Sequence, residues 1–279
     1  MNNNSIYKSD TGKESIINHY ENIIRNWPVS HERITLATQY GKTFIIASGS
    51  NEKQPMILLH GSSTNSAMWM GDIEKLSKDY RVYAVDIIGE PGLSDETRPD
   101  MSGDHYGIWL DEVIESLNID RAIVIGNSLG GWMALQYATY HPEKVEKLIL
   151  LATSGISPAK ISFLIKIMPL MLLGRKGIDR INKIVYGNEE VPEEAVEFGN
   201  LILQHYIPRM GSLPVLTDEE LSRLVMPTLY MGGEKDALLP SKKIADRLSR
   251  LLPESKTVII KNTGHVLLDI VDSILVFIK

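Results

Sequence analysis

The 279-residue sequence predicts an α/β fold: a mostly parallel, doubly wound sheet with helices on both faces. Three observations predict it. Short apolar runs, rich in β-branched residues, recur at 55–59, 81–87, 122–125, 145–151, 228–231 and 257–260, as expected of strands buried on both faces. Segments of helical spacing separate most of these runs. A turn of small residues, Gly126-Asn127-Ser128-Leu129-Gly130-Gly131, carries one strand straight into a helix.

Taken in order, residues 13–27 place Ile16, Ile17, Tyr20, Ile23, Ile24 and Trp27 on one side of a packing helix that Pro28 ends. Residues 33–38 and 43–47 are strand-like and joined at Tyr40-Gly41, most simply as a hairpin. The buried strand at 55–59 then runs into His60-Gly61-Ser62-Ser63. Helices are expected over 67–78, 104–117 and 129–139, interleaved with the strands. Between 154 and 221 the alternation fails: several helices are punctuated by Pro158, Pro169, Pro192, Pro208 and Pro214. This predicts an inserted helical cap at 154–221 on a core of 1–153 and 222–279. Within it the apolar run 161–173, interrupted by Pro169, is either a cap helix covering a pocket or a membrane-touching surface, and is too short to span a bilayer. A helix over 241–252, the strand at 257–260 and a final helix after Gly264-His265 complete the core.

A net charge of -6 with no basic stripe argues against nucleic acid as a partner. The absence of cysteine excludes disulfides, thiolate metal sites and a cysteine nucleophile. No two histidines show metal-ligand spacing on one helix, so neither metal nor cofactor is expected. The start is polar, without a signal-peptide core, which predicts a soluble cytoplasmic protein, monomer or homodimer, with no stable membrane insertion.

Ser128 stands at the tip of its turn, beside backbone N–H groups and the positive end of a helix dipole, which suits a nucleophile whose reaction builds an oxyanion. The alternative is a helix N-cap serine. A nucleophilic serine needs a base, and in an open parallel sheet the base should follow a strand end. His60 and His265 satisfy this. His60 sits in a tight loop suited to backbone N–H donation, so His265 is the better base; His19, His31, His105, His141 and His205 read as structural. The strand at 228–231 leads to Glu234 and Asp236. Asp236 is the better acid, its short side chain able to point back over the sheet, while Glu234 is expected in a surface salt bridge. No carboxylate follows the strand at 145–151, and Asp86 precedes the serine, so it more simply anchors its own loop.

Together, His60-Gly61, Asp86 with Gly89 and Gly92-Leu93-Ser94, the Gly126–Gly130 elbow, Gly233-Glu234-Lys235-Asp236 and Gly264-His265 resemble the serine hydrolases of the α/β-hydrolase fold. Trp27-Pro28-Val29, residues 45–49 and residues 84–89 resemble the small bacterial carboxylesterases of the naproxen-esterase type. The resemblance implies an oxyanion hole made by the backbone N–H groups of Leu129 and Ser62, with Ser63 as fallback for the second. Two departures bear on specificity: Glu90-Pro91 stretches the loop after Gly89, and Ser62-Ser63 replaces the multi-glycine run of some lipases.

The resulting expectation is a carboxylic ester hydrolase with Ser128, Asp236 and His265 as triad, acting on small to medium, partly apolar esters. Phe163, Leu164 and Met168 are candidates for the pocket. Two rivals stand beside it: a carbon–carbon bond hydrolase using the same triad, and a non-catalytic ligand-binding protein of this fold.

Overall fold

The eight strands β1 (His31–Thr38), β2 (Gly41–Ser48), β3 (Pro55–Leu59), β4 (Arg81–Val85), β5 (Ala122–Asn127), β6 (Val145–Leu151), β7 (Thr228–Gly233) and β8 (Lys256–Ile260) form one sheet in the order β1-β2-β4-β3-β5-β6-β7-β8. The computed structural model describes residues 5–187, 189–209 and 211–279, and only the backbone of Leu164 and Met171. β1 and β2 are the expected hairpin and pair antiparallel, as do β2 and β4; every other pairing is parallel. Parallel neighbours need crossover helices, and these divide between the two faces.

Alternate residues of each central strand therefore feed two cores. Ile57, Leu59, Val124, Leu148 and Leu150 pack beneath α3 (His105–Ser116), α4 (Leu129–Tyr140) and α9 (Ser241–Leu251). Met56, Leu58, Ile123, Ile125, Ile149 and Leu151 pack beneath α1 (Asp10–Arg25), α2 (Ile73–Ser77) and α10 (Val271–Ile278). The period-two side-chain geometry of a strand makes both cores continuous without any strand breaking its apolar run.

Between β6 and β7 lie α5 (Ile161–Met171), α6 (Gly174–Tyr186), α7 (Glu193–His205) and the single turn α8 (Asp218–Leu221). The N-terminal segment is tied to this insertion, with Lys8 N–H donating to His205 O at 2.8 Å and Ile207 N–H to Ile6 O at 2.8 Å.

Two local expectations are corrected. The helix expected over 67–78 is two pieces, a 3-10 turn at Ser66–Trp69 and α2, because Asn65 caps the first and Gly71 falls between them. Pro169 does not interrupt α5 but sits in its last turn. The final helix follows His265 as expected, from Val271 to Ile278.

Candidate active site

β5 passes into α4 with no loop, and the single residue between them, Ser128, is forced to φ 49° and ψ -104°. The approach is so close that a Cβ on Gly126 would strike Gly130 O, and one on Gly130 would strike the carbonyl oxygens of Leu59 and His60. Ser128 is the residue preceding α4, yet its hydroxyl makes no capping bond. Instead Oγ lies 3.1 Å from His265 Nε2.

His265 Nδ1 lies 2.8 Å from Asp236 Oδ2. The other oxygen, Oδ1, accepts the N–H groups of Leu238 at 2.8 Å and Leu239 at 2.9 Å, so the loop after β7 clamps the carboxylate from behind. Asp236 is 1% exposed and Ser128 8%, which keeps bulk water from competing for these bonds. A carboxylate only accepts, so the imidazole proton sits on Nδ1 and the Nε2 lone pair faces the serine hydroxyl. The sequence-predicted Ser128, His265 and Asp236 are thus brought together in one hydrogen-bonded line.

Gly130 N–H donates to His60 O at 3.1 Å, holding the loop after β3 against the start of α4. A Cβ on Gly61 would lie 3.8 Å from Ser128 Cβ. In this loop Gly61 N–H points to Met68 Sδ at 3.4 Å, and Ser63 N–H donates to Glu90 Oε2 at 2.7 Å. The fallback donor Ser63 is therefore already engaged. Among the described residues Ser62 N–H meets no acceptor, and Leu129 N–H, in the first turn of α4, has none within the helix.

The rejected candidates have other tasks. His60 is fully buried, donates from Nδ1 to Gly61 O at 2.8 Å and accepts Ile87 N–H on Nε2 at 2.9 Å; burial holds its pKa below the usual histidine value. Asp86 accepts Tyr20 OH and Ser66 N–H on Oδ1 and Leu93 N–H on Oδ2, anchoring its loop as expected. Glu234 is exposed but accepts Asn262 N–H at 3.1 Å rather than an expected cation. His19 stacks on Phe198, and His105 meets Tyr40 OH. Among the described residues no cluster of histidine and carboxylate side chains has the makings of a metal site.

The insertion touches the loops that carry Asp236 and His265, and the loop of Glu90 after β4. Lys160 donates its N–H to Leu238 O at 2.8 Å and its ammonium to Asp236 O. His265 N–H donates to Val185 O at 3.0 Å, at the end of α6. Tyr206 OH and Arg209 Nε reach Glu90 at 2.9 Å and 2.7 Å. Of the pocket candidates, Phe163 is buried, Met168 is 67% exposed, and the side chain of Leu164 lies outside the described residues. Ile161, Ile165 and Leu172 are exposed on the same stripe as Met168. Lys160, Tyr206 and Arg209 escaped the sequence reading, which singled out Glu90-Pro91 as stretching the loop after Gly89 but gave the Glu90 side chain no role.

Residues 56–271 match the model of the alpha/beta hydrolase family. The chain is 32% identical over 271 residues to carboxylesterase YbfK of Bacillus subtilis (strain 168), covering 89% of this chain and 86% of that one. The crystal structure of naproxen esterase (carboxylesterase NP) from Bacillus subtilis superposes with a TM-score of 0.86 at 27% identity, over 97% of this chain and 99% of that one. A meta-cleavage product hydrolase, CumD of Pseudomonas fluorescens IP01, at 21% identity and TM-score 0.70, shares the fold alone. With its eight-stranded sheet, serine elbow and match over most of its length, this chain belongs to the alpha/beta hydrolase family.

Proposed function

We propose that the chain hydrolyses carboxylic esters of small to medium, partly apolar substrates through an acyl-serine. The observation that carries the reading is the line Ser128 Oγ, His265 Nε2, His265 Nδ1, Asp236 Oδ2, with gaps of 3.1 Å and 2.8 Å. Ser128 Oγ attacks the ester carbonyl carbon while Nε2 takes its proton, and Asp236 steadies the imidazolium that results. The carbonyl oxygen becomes an oxyanion held by the N–H groups of Ser62 and Leu129. Collapse breaks the bond to the alcohol oxygen, which takes the proton from Nε2 and leaves. A water molecule, deprotonated by the same nitrogen, then attacks the acyl carbon, and the second collapse frees the acid and returns the proton to Oγ. The similarity to named carboxylesterases supports an ester rather than a carbon–carbon bond as the target.

Residues 154–221 act in this reading as a cap over the core of 1–153 and 222–279, supported by their bonds to the loops of Asp236, His265 and Glu90. Phe163, buried three residues past the Lys160 anchor, is the pocket residue best placed to meet an acyl chain. Intact-mass measurement after a fluorophosphonate tests the nucleophile: one adduct is expected, lost in Ser128→Ala. Labelling that survived on another serine would overturn the assignment. Turnover of p-nitrophenyl esters without cleavage of a ring-cleavage dienoate is the expected substrate outcome, and the reverse would move the chemistry to carbon–carbon hydrolysis.

A further inference from the structure

The Glu90 side chain is wholly buried, although it lies in a connecting loop. Such a charge is tolerable only if its oxygens are filled by donors. Oε1 accepts Arg209 Nε at 2.7 Å; Oε2 accepts Tyr206 OH at 2.9 Å and Ser63 N–H at 2.7 Å. Arg209 also donates to Ile88 O at 2.9 Å, in the same loop as Glu90. One carboxylate therefore joins three parts of the chain: the loop after β4, the segment after α7, and the loop that runs from β3 past the nucleophile.

Ser63 has a φ of 58°, a conformation that a non-glycine residue holds only when its surroundings insist. Its N–H belongs to the peptide plane that Ser62 shares with it, so fixing that N–H fixes the backbone beside the Ser62 donor. Left free, Ser63 N–H would also compete with its neighbour for any anion in the site. We propose that Glu90 is a positioning residue for the oxyanion hole, holding Ser63 N–H out of the site while Tyr206 and Arg209 hold Glu90. The hole is then complete only while the 206–209 segment is docked, and displacement of the cap is felt as slower chemistry. This rests on the esterase reading above.

The test compares wild type, Glu90→Gln and Tyr206→Phe. Glutamine keeps the size but has one acceptor oxygen for three donors; phenylalanine removes the hydroxyl that reaches Glu90 Oε2 and, at 3.3 Å, Gly89 O, and leaves the ion pair in place. For Glu90→Gln, kcat for p-nitrophenyl butyrate is expected to fall by about 10², with KM within about threefold, as for a misplaced oxyanion donor. Affinity for a trifluoromethyl ketone, whose adduct carries the oxyanion, should fall in parallel. Tyr206→Phe should lower kcat about fivefold at unchanged KM, and serves if Glu90→Gln does not fold. A merely structural pair would lower the melting temperature and leave both kcat and ketone affinity of the folded fraction at wild-type values, which would overturn the proposal. Failure of wild type itself to turn over esters or to label at Ser128 would overturn the esterase reading instead. Amide hydrogen exchange at Ser63, expected to speed up in either variant, reads the tie without reference to activity; unchanged exchange would also overturn it.

Discussion

Asp236 and His265 face each other through single atoms, Oδ2 and Nδ1 at 2.8 Å, because the other carboxylate oxygen is already taken by Leu238 N–H and Leu239 N–H. This dictates what an amide would do there. In Asp236→Asn the amide oxygen must serve the two backbone donors, which turns the NH2 towards Nδ1. Nδ1 then has to accept, so the imidazole proton moves to Nε2 and points at Ser128 Oγ. The expected result is a fall in kcat of about 10⁴ with the melting temperature little changed. Glu234→Gln, altering an exposed side chain, should leave kcat at the wild-type value, and steady-state kinetics of the two variants check the pair.

Phe163 and Met168 separate by burial into a side chain facing the protein and one facing solvent. Phe163→Leu should change the kcat/KM ranking of acetyl, butyryl, hexanoyl and octanoyl p-nitrophenyl esters by about 10-fold at one chain length, the worth of a methylene or two in an apolar pocket. Met168→Ala should leave the ranking as it is.

His60 is buried with its Nε2 accepting from Ile87 N–H, and burial depresses its pKa below 6.5. An unfolded histidine near 6.5 binds a proton that the folded one refuses, so the stability contribution is full above pH 6.5 and is lost as the pH falls towards the folded value. At pH 6.5, where a free histidine is half protonated, imidazole 15N spectra should show this ring mostly neutral and protonated on Nδ1. A His60 ring mostly imidazolium at that pH would contradict the expectation.

Asp72 precedes α2 without capping it, and burial, reinforced by Asp269, pushes its pKa up to about 6. Its sign is the opposite: the contribution is full below the unfolded value of 3.8 and lost as pH rises through about 6. Asp72→Asn should therefore stabilise the protein at pH 8 and not at pH 4. The gain should be about 1 kcal/mol, well under the ~3 kcal/mol of an unscreened shift, because the carboxylate is partly exposed. Urea denaturation at the two pH values measures it.

The sheet and the hydrogen-bonded line Ser128–His265–Asp236 were legible because both are written in local patterns: apolar runs of strand length, a glycine-bracketed serine, and polar residues just past strand ends. The split at Gly71 was not, since the apolar spacing of 67–78 continues across it. The run 161–173 was legible as apolar but not as two-faced. Phe163 turns inward while Ile161, Ile165, Met168 and Leu172 stand in a single outward stripe, an assignment that depends on what α5 packs against. Least legible was Glu90, whose partners lie 27, 116 and 119 residues away. A loop glutamate reads as surface until the residues that bury it are known.

The left-handed backbone of Ser128 sets folding and reactivity against each other at one position. A conformation of this kind costs of order 1–3 kcal/mol for any residue with a side chain and almost nothing for glycine. Ser128→Gly should therefore melt above both wild type and Ser128→Ala while hydrolysing nothing. Whatever Ser128 contributes to chemistry is therefore held against the stability of the fold at a position where the backbone resists a side chain.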